Sequence, residues 1–256
     1  MTAAAIILAA GKGTRMKSDL PKVLHPVCGQ PMLTYVINAC RGAGCDRLIL
    51  VVGHRHEWVR ETYASLDGNV AYVMQEPQQG TGHAVMVCQD ELAWLEGPVL
   101  VVAGDGPLIQ SHTLRELLAV HTQTNAACTL ATSILPDPAK YGRILRDERG
   151  ELASIVEFVD ATPEQLAVKE VNVSVYCFDA AALRSVLPRL TNNNNKNEYY
   201  LTDALGLLRA DGQKLAAVAA VPPEDVMSIN TIDELDLVSR MMISRTGADR
   251  DARSRS

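Results

Sequence analysis

The chain has 256 residues, 47 % of them apolar, and a formal net charge of −6. That length predicts one large domain, or a domain with a small lobe, and enough apolar content for a buried core. The acidic balance argues against general binding to nucleic acid or to an anionic membrane, so any cationic site must be local.

In chain order, the first run is "AAAIILA" (3–9), an apolar strand too short and without the cationic lead of a signal peptide or membrane span. "RLILVVG" (47–53), "VAYVM" (70–74) and "PVLVVAGD" (98–105) are further apolar runs, as expected for parallel strands covered on both faces. Helices are predicted between them at about 31–43, 54–66 and 81–94. This alternation predicts an open α/β sheet with right-handed crossovers. The pattern then changes: "AACTLATSIL" (126–135), "GRILRD" (142–147), "LASIVEF" (152–158) and "VNVSVYCF" (171–178) read as strands, with a hairpin turn at Gly150. They predict a mixed sheet or a small β-rich lobe added to the first half. Helices at about 179–188, 199–210 and 231–243 and the strand "KLAAVAAV" (214–221) complete a domain over 1–242, with halves at about 1–110 and 111–242. The segment 243–256 has no apolar pattern and is expected to be a disordered tail. "TNNNNKNE" reads as a flexible surface loop. Cys28, Cys40, Cys45, Cys88, Cys128 and Cys177 are scattered without a C-x-x-C, which predicts reduced, mostly buried thiols and a cytoplasmic setting.

Chemistry concentrates first in "LAAGKGTRMKSDLPK" (8–22). As a Walker A loop it fails twice: Gly13 stands where Ser or Thr is needed, and Ile6 where the first glycine is needed. As a dinucleotide fingerprint it fails at Met16, and Pro21, Pro26 and Pro31 prevent a long helix from starting directly behind it. What remains is a strand that ends in a glycine-rich loop. Gly11 and Gly13 can turn backbone amides toward an anion, Arg15 offers a planar fork and Lys22 a point charge. Such a loop suits a triphosphate and its pyrophosphate leaving group; a merely solvated basic loop would have the same composition.

"VMQEPQQGTGHA" (73–84) follows a strand and opens a helix, with Gln75 and Gln78 able to both donate and accept. His83 reads as a packing residue at the helix start. "VVAGDGPLI" (101–109) puts Asp105 at the carboxyl end of a buried strand, the ligand edge of an open α/β sheet. A carboxylate beside a triphosphate needs a cation between them, so Asp105 implies Mg²⁺ unless it only caps a turn. Asn230 in "MSINTIDEL" sits where a helix N-cap would.

These motifs together resemble the sugar-phosphate nucleotidyltransferases. "LAAGKGTRM" with "LPKVL", and "QQGTGHA" after a strand, look most like the N-acetylglucosamine-1-phosphate uridyltransferases, over about residues 3–240. The resemblance implies a Rossmann-like, mixed but mostly parallel sheet flanked by helices with a small sugar-binding lobe. It implies that Leu8, Ala9, Gly11, Gly13 and Thr14 cradle UTP, that Gln75, Gln78, Gly80 and Thr81 surround its base, and that Arg15 and Lys22 are catalytic. Asp105 and Asn230 correspond to the magnesium-binding positions. Gly142, Glu157 and Asn172 would touch a sugar 1-phosphate, with Tyr200 and Thr202 completing the pocket. Three positions depart from the pattern: Ala103 stands for a bulkier or polar residue, Val159 for Lys, and Ser174 for the Gly of N-T-G. The expected reaction is transfer of UMP from UTP to N-acetylglucosamine 1-phosphate. Another hexose 1-phosphate, dTTP, or a module that binds without turnover stay open. No hexapeptide repeats of an acetyltransferase β-helix occur, so no acetyl transfer is expected.

Overall fold

A computed structural model describes residues 3–66 and 68–253, with side chains described through Arg245. The strands are β1 (Ala3–Leu8), β2 (Pro26–Val27), β3 (Gln30–Pro31), β4 (Cys45–Val52), β5 (Val70–Met74) and β6 (Pro98–Ala103), followed by β7 (Cys128–Ile134), β8 (Arg143–Arg146), β9 (Leu152–Val156), β10 (Glu170–Asp179) and β11 (Leu215–Val218). The helices are α1 (Met32–Gly42), α2 (His56–Thr62), α3 (Thr81–Met86), α4 (Gln89–Leu92), α5 (Ser111–Thr124), α6 (Pro163–Leu166), α7 (Ala180–Val186), α8 (Asp203–Ala210) and α9 (Ile232–Arg253).

One sheet runs in the order β11-β7-β10-β6-β1-β4-β5, and the β8–β9 hairpin joins it through β10. β1 pairs in parallel with β4 and β6, β4 with β5, and β7 with β11, whereas β10 is antiparallel to β6 and β7. The expected mixed, mostly parallel α/β sheet is the observed one. Both faces are buried, which is why β1 reads as an unbroken apolar run. Its Ala3, Ala5 and Ile7 pack with α1 and α5 on one face, and its Ala4 and Ile6 with α3, α7 and α8 on the other. The 14-residue α5 is an element the sequence reading did not assign. The anticipated single helix at 81–94 is two short ones, α3 and α4.

The last helix also differs from expectation. It continues to Arg253, past the predicted end near 243 and into the segment expected to be disordered. No proline occurs between 232 and 253 to stop it. The remaining tail residues, 254–256, lie outside the described residues.

Sheet order places the site. Successive connections leave β1 toward β4 on one side and toward β6 on the other, so the carboxyl ends of β1 and β6 flank the switch point where open α/β sheets bind ligands. Leu8 and Ala103 are register partners, and the Gly104 N–H donates to the Leu8 carbonyl at 2.9 Å. The loop after Leu8 and the loop carrying Asp105 therefore emerge side by side.

Candidate active site

The three prolines act as expected. The chain after β1 makes only 3₁₀ turns at Thr14–Met16 and Lys22–Leu24 and the small β2–β3 hairpin before α1 begins at Met32. Gly13 is the pivot of this loop. It adopts φ +61°, and a Cβ there would lie 2.6 Å from Cβ of Lys22, so the loop can fold onto the Lys22 stem only through a glycine. Met16 is buried beneath the turn, which leaves Arg15 exposed on its outer side.

Four residues distant in sequence then meet. Lys22 Nζ donates to Asp105 Oδ2 at 2.5 Å and to Asn230 Oδ1 at 2.7 Å. Arg15 Nη2 donates to the same Asn230 oxygen at 3.0 Å. Asn230 is not the N-cap of α9: Thr231 is. Glu234 Oε2 accepts from the N–H groups of Asn230 (2.6 Å) and Thr231 (2.9 Å), and Thr231 Oγ1 accepts from the Glu234 N–H at 3.2 Å. The Asn230 side chain is thus released from capping. The Ile229 N–H donates to the Asp105 carbonyl at 2.9 Å, which holds the two segments together.

The pair Asp105–Asn230 fits a magnesium ion. A carboxylate and an amide carbonyl are hard oxygen donors, and both already converge on a cation, the Lys22 ammonium. Among the described residues no three His, Cys, Asp or Glu side chains form a metal cage. Mg²⁺ does not need one, because phosphates and water complete its shell.

Beside this cluster opens a cleft of about 690 Å³, within the range of small-molecule sites. Leu8, Gly11, Gln75, Gln78, Gly80, Thr81 and Asp105 line one part of it; Glu157, Asn172, Tyr200 and Thr202 line the other. Ala9 is buried, with its N–H on the Val51 carbonyl at 2.8 Å. Gly13, Thr14, Arg15, Lys22 and Asn230 sit outside the lining, and so does Gly142, whose carbonyl accepts from the Asn172 N–H at 2.9 Å.

The glutamines divide their work. Gln75 is buried, and its Nε2 donates to the Gly80 carbonyl at 2.9 Å and contacts His83 Nδ1 at 3.3 Å, so it braces the loop. Gln78 Nε2 donates to the Gln75 carbonyl at 3.2 Å. Gly80 at φ +103° lets the loop approach 198–199; a Cβ there would sit 2.5 Å from the Tyr199 carbonyl. Gly82 donates to that carbonyl at 2.7 Å, and Thr81 Oγ1 accepts from the Leu201 N–H at 3.2 Å. This stitching joins the expected base-binding loop to the segment bearing Tyr200 and Thr202. His83 packs at the helix start, its ring 6.2 Å from that of Tyr199 and its pKa lowered by burial.

At the other end, Asn172 is buried. Its Nδ2 donates to the Tyr176 hydroxyl at 2.8 Å, and its Oδ1 accepts from the Ser174 N–H at 3.1 Å. Ser174 takes φ +57° where β10 shifts register between Asn172 and Val175. Burial raises the pKa of Glu157 from its ordinary value; Lys196 opposes this, and Asp160 and Asp203 add to it. The asparagine tract is irregular but tied. Asn194 Nδ2 donates to the Glu198 carbonyl at 2.6 Å, and Asn194 Oδ1 accepts from the N–H groups of Lys196 and Glu198 at 3.1 and 3.2 Å. Lys196 and Glu198 thereby line the cleft, as do Tyr141 and Ser228, which the sequence reading did not single out. The departures Ala103, Val159 and Ser174 all lie on the cleft wall.

A switch-point cleft flanked by a glycine-rich cationic loop and a carboxylate defines a phosphate-handling α/β domain of nucleotidyltransferase type. A family model described as the MobA-like NTP transferase domain matches residues 5–155, and the chain belongs to that family. It is 44% identical over 246 residues to a protein of Pelobacter propionicus named "Bifunctional protein GlmU", covering 96% of this chain and 53% of that one. A protein of the same name from Alkaliphilus metalliredigens is 45% identical over 241 residues, covering 94% and 52%. The chain therefore spans about half the length of these relatives. Among solved structures, a UDP-glucose pyrophosphorylase complexed with UDP-glucose superposes with a TM-score of 0.74 at 18% identity, over 96% of this chain and all of the other, and shares the fold.

Proposed function

We propose that the chain transfers UMP from UTP to N-acetylglucosamine 1-phosphate, yielding UDP-N-acetylglucosamine and pyrophosphate. The carrying observation is the meeting of Arg15, Lys22, Asp105 and Asn230 at the mouth of a cleft whose far end presents Glu157 and Asn172. Its uridyltransferase-like motifs support the choice of nucleotide and sugar, and the match to the NTP transferase family supports the reaction type. The phosphate oxygen of the sugar is ionised at neutral pH, so attack on the α-phosphorus needs no protein base. Catalysis is then positioning and charge stabilisation. Arg15 and Lys22 neutralise phosphate oxygens, Gln78 and the 80–81 backbone surround the base, and Glu157 accepts from sugar hydroxyls. Asp105 and Asn230 would hold Mg²⁺, which supplies charge neutralisation on the triphosphate. A cytoplasmic setting, where UTP is available, fits the free thiols. Among the described residues no helix is long and apolar enough to cross a membrane.

A second reading keeps the chemistry and changes the acceptor or uses dTTP, because Ala103, Val159 and Ser174 all line the cleft. The deciding experiment is pyrophosphate release with Mg²⁺ and UTP, comparing N-acetylglucosamine 1-phosphate with glucose 1-phosphate. Release with the acetylated sugar alone is expected. Release with glucose 1-phosphate alone would establish the second reading. Silence with every sugar and with dTTP would leave a binding module.

A further inference from the structure

We propose that Ser228 is a positioning residue for the cation site: its hydroxyl holds the Asn230 amide so that the carbonyl oxygen, and not the NH₂ group, faces the cation. The inference rests on the reading of Asp105 and Asn230 as the ligands of that cation. An asparagine amide has two ends of nearly equal shape, and only the oxygen can ligate a metal. The terminal torsion of asparagine is broad and roughly two-fold, so the side chain does not choose an end by itself.

Three groups make the choice here. Lys22 Nζ and Arg15 Nη2 approach Oδ1 at 2.7 and 3.0 Å, and both are donors only. On the other side, Asn230 Nδ2 donates to Ser228 Oγ at 3.2 Å. The two cations have phosphates to engage once nucleotide arrives. When they turn to those phosphates, the cation takes the oxygen end, and the contact with Ser228 is the one that still holds the NH₂ end and with it the torsion of the amide. The backbone of Asn230 is already fixed by Glu234, so the side-chain torsion is the freedom left to remove. Ser228 lines the cleft and is half-buried, so its hydroxyl reaches the site without being part of the core.

The test is an EPR titration of Mn²⁺–UTP with the full chain and no sugar phosphate, which reads formation of the bound complex and not turnover. Ser228→Ala should weaken binding about 10-fold, the low end for loss of a group that orients a metal ligand. Ser228→Thr, which keeps the hydroxyl, should bind like the wild type. In an Asn230→Asp background Ser228→Ala should cost clearly less, because a carboxylate presents oxygen to the cation whichever way it turns. Wild-type affinity for Ser228→Ala, or an equal loss in both backgrounds, would overturn the positioning role. If Asp105→Ala and Asn230→Ala both left Mn²⁺–UTP binding unchanged, the cation-site reading would fall and this inference with it.

Discussion

The two ends of the cleft are built by different means. At the nucleotide end, residues 15, 22, 105 and 230 are brought together from four parts of the chain, and charge and a shared amide oxygen hold them. At the sugar end, Asn172, Ser174 and Tyr176 lie within one strand and are held by hydrogen bonds centred on the buried Asn172 side chain. The first arrangement is only partly buried and contributes little to the core; in the second, Asn172 and Tyr176 are buried in the sheet while Ser174 is exposed. Substitution should therefore separate function from stability at the nucleotide end and join them at the sugar end.

The largest expected effect tests the first half of that contrast. Arg15→Ala should lower kcat about 100-fold or more, about 3 kcal/mol of transition-state stabilisation. Its Tm should stay close to that of the wild type, since the guanidinium is exposed. Steady-state kinetics and a thermal melt on the same sample check both. A large fall in Tm would show that the loop is part of the folded core after all.

Asn172→Ala is the counterpart. It leaves the Ser174 N–H without its partner and the buried Tyr176 hydroxyl with the Ser174 contact alone, which should cost about 1–2 kcal/mol in urea denaturation. Affinity for the sugar phosphate should fall with it. Normal stability with lost sugar affinity would make the two ends alike.

Much of this was legible in the sequence, for reasons that also mark its limits. The apolar runs located β1, β4 and β6 because strands buried on both faces need no alternation, and the half-buried edge strand β5 showed as a shorter run of the same kind. The helix α5 went unassigned although Leu114, Leu117 and His121, all buried, recur at helical spacing; the Ser, His and Thr around them mask the pattern. Asn230 could not be separated from an N-cap by position alone. "TIDE" carries the signature that settles it, since Thr231 and Glu234 form the cap and leave Asn230 free. The roles of Gln75 and Asn194 were not legible, because both depend on which backbone carbonyl folds back against them.

Glu157 gives a pH-dependent test of the sugar end. Its folded pKa is raised by burial, with Lys196 opposing and Asp160 and Asp203 reinforcing the shift. The native state therefore binds its proton more tightly than the unfolded chain. Ionisation destabilises the fold as pH rises from the ordinary carboxylate value through the raised one. Glu157→Gln removes that penalty. It should raise Tm at neutral pH, have no such effect below the ordinary carboxylate range, and raise KM for the sugar phosphate. Melts across pH check the sign; a gain that grew toward acid would overturn it.

The smallest effect concerns Ser174, where a family-like sequence would carry glycine. Its φ of +57° is the left-handed region, which costs an L side chain about 1–2 kcal/mol. Ser174→Gly relieves that strain, but glycine enlarges the unfolded ensemble by about 0.4–1 kcal/mol. The change also removes a hydroxyl that bonds to Tyr176, although Asn172 still donates to that phenol oxygen. The balance should be a gain of about 0.5 kcal/mol in urea denaturation. A loss instead would mean that the serine hydroxyl outweighs the strained backbone, and that even a departure from the family pattern at this end is held by hydrogen bonding to the buried Tyr176.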